Sequence, residues 1–142
     1  IAKRDLRNKL IDFILNNQFD TFIGLAIIIM TASNLKIILP ENESINRAIS
    51  LSKEFPLSVG FYKWICHKIV HDNINMQSKP SKEKRWNWLW DYHISFVIAK
   101  STLDNREAIL VTSDGDLSKI LNHFGYKNRV MTITEYLHFI GL

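Results

Sequence analysis

The sequence predicts an α/β fold organised on a parallel sheet, and three stretches predict it. Ala108 to Val111 is an uninterrupted apolar run of the kind that fills a strand buried on both faces. Leu117, Ile120, Leu121 and Phe124 then recur at helical spacing, with Gly125 as a stop. Val130 and Met131 supply a further short strand candidate. Strand, tight loop, helix and strand in that order describe one crossover unit of a parallel sheet, and ligands of such sheets bind outside the carboxyl ends of the strands.

The remaining elements follow from periodicity and breakers. Leu6, Leu10, Phe13 and Ile14 fall at i, i+4, i+7 and i+8, which predicts an amphipathic first helix ending near Asn16. Phe19 to Ile23 reads as a short strand, Ala26 to Leu35 as a buried helix, and Ile37 to Leu39 as another brief strand closed by Pro40. Ile45, Ala48, Ile49 and Leu51 predict a helix capped by Ser44, and Phe61, Trp64, Ile65 and Ile69 predict one more after Pro56 and Gly60. His67 and His71 share a helical face at metal-ligand spacing, but no carboxylate is patterned with them.

Asp72 to Arg85 is polar and basic and reads as an exposed connection. Trp86, Leu89, Trp90, Ile94, Val97 and Ile98 form the strongest helical stripe in the chain, predicting a helix from about Trp86 to Leu103. Thr132 followed by Glu135 is a capping box, and Tyr136, Leu137 and Ile140 continue as a closing helix ended by Gly141.

A chain of 142 residues fits one domain, and 46% hydrophobic with 23% charged residues is a globular composition. The formal charge of +4 and a pI near 9.2 permit an anionic partner without requiring one. Cys66 is the single cysteine, which leaves no disulfide framework or cysteine-rich zinc site and points to a cytoplasmic setting. No membrane association is expected, because the most apolar segment, Thr21 to Leu39, is interrupted by Lys36 and diluted by Gly24, Thr31, Ser33 and Asn34.

Chemistry concentrates where the apolar run ends, in Thr112-Ser113-Asp114-Gly115-Asp116. Two carboxylates one residue apart at a strand end suit a hard cation such as Mg2+ or Mn2+. Asp is equally a preferred helix N-cap and Asp-Gly a common turn, so the same residues also have a purely structural reading. Asp91 borders the apolar stripe of its helix, where a carboxylate is costly unless it is paired or metal-bound.

Three segments, Asp91-Tyr92-His93-Ile94-Ser95-Phe96-Val97-Ile98-Ala99, then Ile109 to Leu117, then Val130 to Leu137, together resemble the carboxyl-terminal half of PIN domains. The resemblance covers about Trp86 to Leu142. It implies a three-layer sandwich with a central, mostly parallel sheet flanked by helices, and a single PIN-like domain over residues 1–142 without the family's first strand. It further implies a metal-dependent ribonuclease of the kind found in toxin-antitoxin pairs.

On that resemblance Asp91, Asp114 and Asp116 would hold Mg2+ or Mn2+, and Thr112 would orient a carboxylate or the attacking water. RNA would be the substrate, with Lys79, Lys82, Lys84, Arg85 and Lys100 on its phosphates and Trp88 available to stack on a base. An antitoxin-like protein and a second copy of the chain are the further partners implied. The family's second acidic residue, a glutamate, should fall near Met30, where there is no carboxylate, and Asp20 is a poor substitute by position. That gap favours the alternative of a PIN-like RNA-binding or protein-interaction module with impaired catalysis.

Overall fold

The computed structural model describes residues 3–99 and 105–142, with the side chain of Ser81 excepted. Helix accounts for 74% of the described residues. The order is α1 (Lys3–Leu15), α2 (Gln18–Asn34), α3 (Glu41–Glu54), α4 (Pro56–His71), α5 (Lys79–Ala99), β1 (Leu110–Val111), α6 (Gly115–His123), β2 (Val130–Met131) and α7 (Ile133–Phe139). The three-layer sandwich with a central sheet is therefore overturned. The sheet among the described residues is one parallel pair of two-residue strands, with Leu110 opposite Val130 and Val111 opposite Met131.

Two predicted strands are lost for identifiable reasons. Phe19 and Ile23 are both buried, while Phe22 between them is exposed. A four-residue interval places two side chains on one side of a helix, whereas a strand would group Phe19 with Thr21 and Ile23. Packing against Ile14 and Val59 selects the helical solution, so residues 19–23 are the opening turns of α2. Ile37 to Leu39 finds no neighbouring strand among the described residues. The Ile37 N–H instead donates to the Ala32 carbonyl at 2.8 Å to close α2, and Ile38 is 95% exposed.

α2 approaches α3 closely through Gly24 and Ala48. A Cβ built on Gly24 would stand 2.6 Å from the Ala48 carbonyl oxygen, inside any normal contact. Gly24→Ala is therefore expected to lower stability by about 1–3 kcal/mol from overpacking, outweighing the gain of about 1 kcal/mol in helix propensity. Urea denaturation decides it, since a higher midpoint for the variant would disprove the close approach.

Other boundaries shift by a turn. α3 begins at Glu41, so Ser44 is not its cap but lies inside the first turn, its hydroxyl donating to the Pro40 carbonyl at 3.1 Å. α4 begins at Pro56, where the missing N–H costs nothing. Gly60 thus lies within the helix, and the Phe124 ring occupies the space that a side chain there would need. The basic run Lys79 to Arg85, expected as a loop, is the start of α5; the connection proper spans only residues 72–78. Of the predicted helix to Leu103, residues 100–103 lie outside the described residues.

α5 also turns a different face inward. The buried residues are Trp88, Tyr92, Ser95 and Ile98, whereas Trp86 and Trp90 of the expected stripe are exposed. Ser95 explains the rotation: its hydroxyl donates to the Ser58 hydroxyl of α4 at 2.9 Å in a fully buried contact, and Trp88 meets Trp64 edge-on. Small residues at the crossing let the helices come close, and the bonded hydroxyl pair avoids an unsatisfied buried polar group.

The main core joins Leu57 and Phe61 of α4, Tyr92 and Ile98 of α5, and Leu117, Ile120 and Leu121 of α6. A second cluster joins Ile14, Phe19 and Ile23 to Val59 of α4. α4 serves both. No single helix among the described residues is long and apolar enough to cross a membrane; α1 and α2 reach that length only together, across a bend of 80°.

The carboxyl-terminal signals appear where the sequence places them. Gly125 and Gly141 take positive φ values of 86° and 82° after their helices, the left-handed turn that glycine accepts without strain. The Thr132 hydroxyl accepts from the Glu135 N–H at 3.2 Å, and the Glu135 carboxylate accepts from the Thr132 N–H at 2.7 Å. These bonds hold the Glu135 carboxyl below its ordinary range. Thr132→Ala should accordingly speed hydrogen exchange at the Glu135 and Tyr136 amides; unchanged protection there would show that the box does not hold α7.

Candidate functional site

β1 leads directly to the acidic loop. Thr112 continues the pairing by donating its N–H to the Met131 carbonyl at 2.9 Å, and its hydroxyl accepts from the Asp114 N–H at 3.0 Å. Thr112 thus holds the loop by its backbone. One carboxylate oxygen of Asp114 accepts from the N–H groups of Asp116 and Leu117, at 2.8 and 2.9 Å. The capping reading of Asp114 is therefore correct, and it spends Oδ1; Oδ2 makes neither of these bonds.

Asp91 comes to the same place from α5. Asp91, Asp114 and Asp116 all line one cavity of about 100 Å³, together with Lys84, Asn87 and Trp88. Burial, and secondarily the negative charge of Asp114, pushes the Asp91 carboxyl from 3.8 up to about 6. Burial withholds water from the charged form, and a like charge nearby adds to the penalty. Asp91, distant in sequence, is thus brought to the cavity that Asp114 and Asp116 also line.

The chemistry of this donor set fits a hard, hydrated divalent ion. Among the described residues no three or more His, Cys, Asp or Glu side chains form a group able to hold a metal. What the site offers is the half-buried Asp91 and the capping Asp114, with Asp116 exposed beside them. Mg2+ is commonly held by one or two carboxylates and substrate phosphates while retaining several waters. His67 and His71 do not extend the set; their rings stack at 5.4 Å, and His71 Nδ1 lies 2.8 Å from the Asp72 carboxylate.

Lys79, Lys82, Lys84 and Arg85 are all exposed on the first two turns of α5, and Lys84 alone of them lines the cavity, its ammonium 5.4 Å from the Trp88 ring centroid. Lys100 lies outside the described residues. Trp88 is 6% exposed and packed on Trp64, which removes it as a base-stacking surface. Met30 is exposed on α2 and does not line the cavity. Asp20 is paired with Lys63 at 2.8 Å.

Sequence reasoning passed over three residues. Asn87 lines the cavity four residues before Asp91, a spacing that places both on one side of α5. A second cavity, of about 270 Å³, shares Trp64, Asp116 and Ile120 with the first and adds Lys119 and His123. These follow Asp116 at i+3 and i+7, so helical spacing was the available signal. No family model matches this chain, and no curated protein or solved structure matches it significantly.

Proposed function

We propose that the chain is a divalent-metal-dependent ribonuclease whose site is the rim formed by Asp91, Asp114 and Asp116. The observation that carries this reading is the meeting of Asp91 and Asp114 at one cavity, close enough for the charge of one to oppose ionisation of the other. Such a pair is unfavourable as built and becomes favourable when a cation lies between its members. The resemblance of Trp86 to Leu142 to PIN domains supplies the reaction class, and the net charge of +4 suits an anionic substrate.

Asp91 and Asp114 would hold the ion, with Asp116 beside them. When bound, Mg2+ or Mn2+ supplies polarisation of the phosphodiester and acidification of the attacking water. The protein's own part is positioning. Thr112 fixes the loop that presents Asp114, α5 presents Asp91, and Lys84 and Lys119 stand at the two cavities to attract phosphate oxygens.

Incubation of single-stranded RNA with the protein and Mg2+ or Mn2+ at neutral pH is expected to give fragments, and EDTA to suppress them. Intact RNA with both ions would overturn the reading. One observation favours a second reading, a binding module without hydrolysis: Asp20, the nearest substitute for the acid missing near Met30, is engaged by Lys63. That reading predicts retention of RNA without fragments.

A further inference from the structure

Two of the chain's tryptophans are in the wrong place for packing. Trp86 and Trp90 are 63% and 66% exposed on α5, on the side opposite the buried Trp88, Tyr92 and Ser95. They stand four residues apart, so their side chains rise on one face about 6 Å apart along the axis. His93 extends the row, its ring 6.4 Å from that of Trp90 and its Nδ1 donating to the Leu89 carbonyl at 2.6 Å. The face begins at exposed Lys79 and Lys82, with Arg85 at its flank and Glu83 as the sole carboxylate between Lys79 and Trp90.

We propose that this outer face of α5 is a platform for single-stranded RNA, on which Trp86 and Trp90 each stack a base while Lys79, Lys82 and Arg85 contact phosphates. Exposed indoles beside a cluster of cations match the two requirements of sequence-tolerant single-strand binding, a stacking surface and a positive track. The grooves of a duplex would not present unstacked bases to the rings. The charge argues against a second copy of the chain as the occupant, since lysine is depleted at the centre of protein interfaces. The choice of RNA rests on the ribonuclease reading; the stacking surface does not.

The test is fluorescence anisotropy with a labelled twelve-nucleotide oligouridine in EDTA, so that no cleavage intervenes. Trp86→Ala and Trp90→Ala are each expected to weaken binding about tenfold, Trp→Phe at either position to restore most of it, and Lys82→Ala to flatten the salt dependence. Because both indoles are exposed, folding is expected to survive, and circular dichroism checks it. Affinity unchanged by both alanine variants would overturn the platform, as would no binding by the parent protein. Conversion of a dimer to a monomer by the double variant would do the same and assign the face to self-association. Cleavage measured in parallel separates the two proposals. Tryptophan-dependent binding without fragments sinks hydrolysis alone, and fragments together with an affinity that neither alanine variant changes sink the platform alone.

Discussion

Asp114→Asn is expected to abolish the proposed metal-dependent RNA cleavage without loss of stability. Asparagine caps a helix about as well as aspartate, so the bonds that Asp114 accepts from Asp116 and Leu117 survive the change. What disappears is the charge facing Asp91. Loss of charge stabilisation worth several kcal/mol corresponds to a fall of about a thousandfold in rate. Asp114→Ala is expected to lose the same activity and, in addition, about 1 kcal/mol of stability through the missing cap. The pair of variants separates the cap that Asp114 makes from the metal-holding role proposed for it. Cleavage by Asp114→Asn within a few-fold of the parent would leave Asp114 a cap and nothing more.

Asp91→Asn should stabilise the protein at neutral pH and do little at pH 4. Folded Asp91 keeps its proton up to about pH 6, whereas the unfolded chain releases it near the ordinary 3.8. Between those values the native state binds the extra proton, so this residue's contribution to stability declines as pH rises from about 4 to about 6 and stays low above that. The residue is only half-buried, and screening by solvent reduces the full shift to about 1–2 kcal/mol. Asparagine removes the penalty. Chemical denaturation at pH 4.5 and 7.5 provides the comparison, and coincident curves for parent and variant at pH 7.5 would contradict it. Mg2+ should raise the melting temperature of the parent at pH 7.5 by mass action and leave Asp91→Asn unmoved.

The structure also explains which parts of the chain could be read in advance. The cap at Asp114, the box at Thr132 and Glu135, and the stops at Gly125 and Gly141 each involve residues within about four positions of one another. Backbone sterics and one or two local hydrogen bonds decide such features, so they survive whatever surrounds them. The short apolar stretches behaved differently. Phe19 to Ile23 could serve as strand or helix by composition, and the choice fell to Ile14 and Val59, one of them 36 positions or more along the chain.

The same division runs through the candidate site. Sequence alone marked Asp91, Asp114 and Asp116, leaving cap or cation ligand open for the last two, and it located the two short strands that flank α6; the bonds of Asp114 decide for the cap. Only tertiary structure decided which side of α5 faces inward. Its apolar residues run nearly all the way round, so the buried face was set by the Ser58 to Ser95 hydrogen bond and the contact of Trp64 with Trp88. That rotation brings Asp91 to the acidic loop, buries Trp88, and leaves Trp86 and Trp90 in solvent. Local bonding can choose a helix, but only a neighbouring element can choose its face, because burial acts between segments that the chain itself keeps far apart.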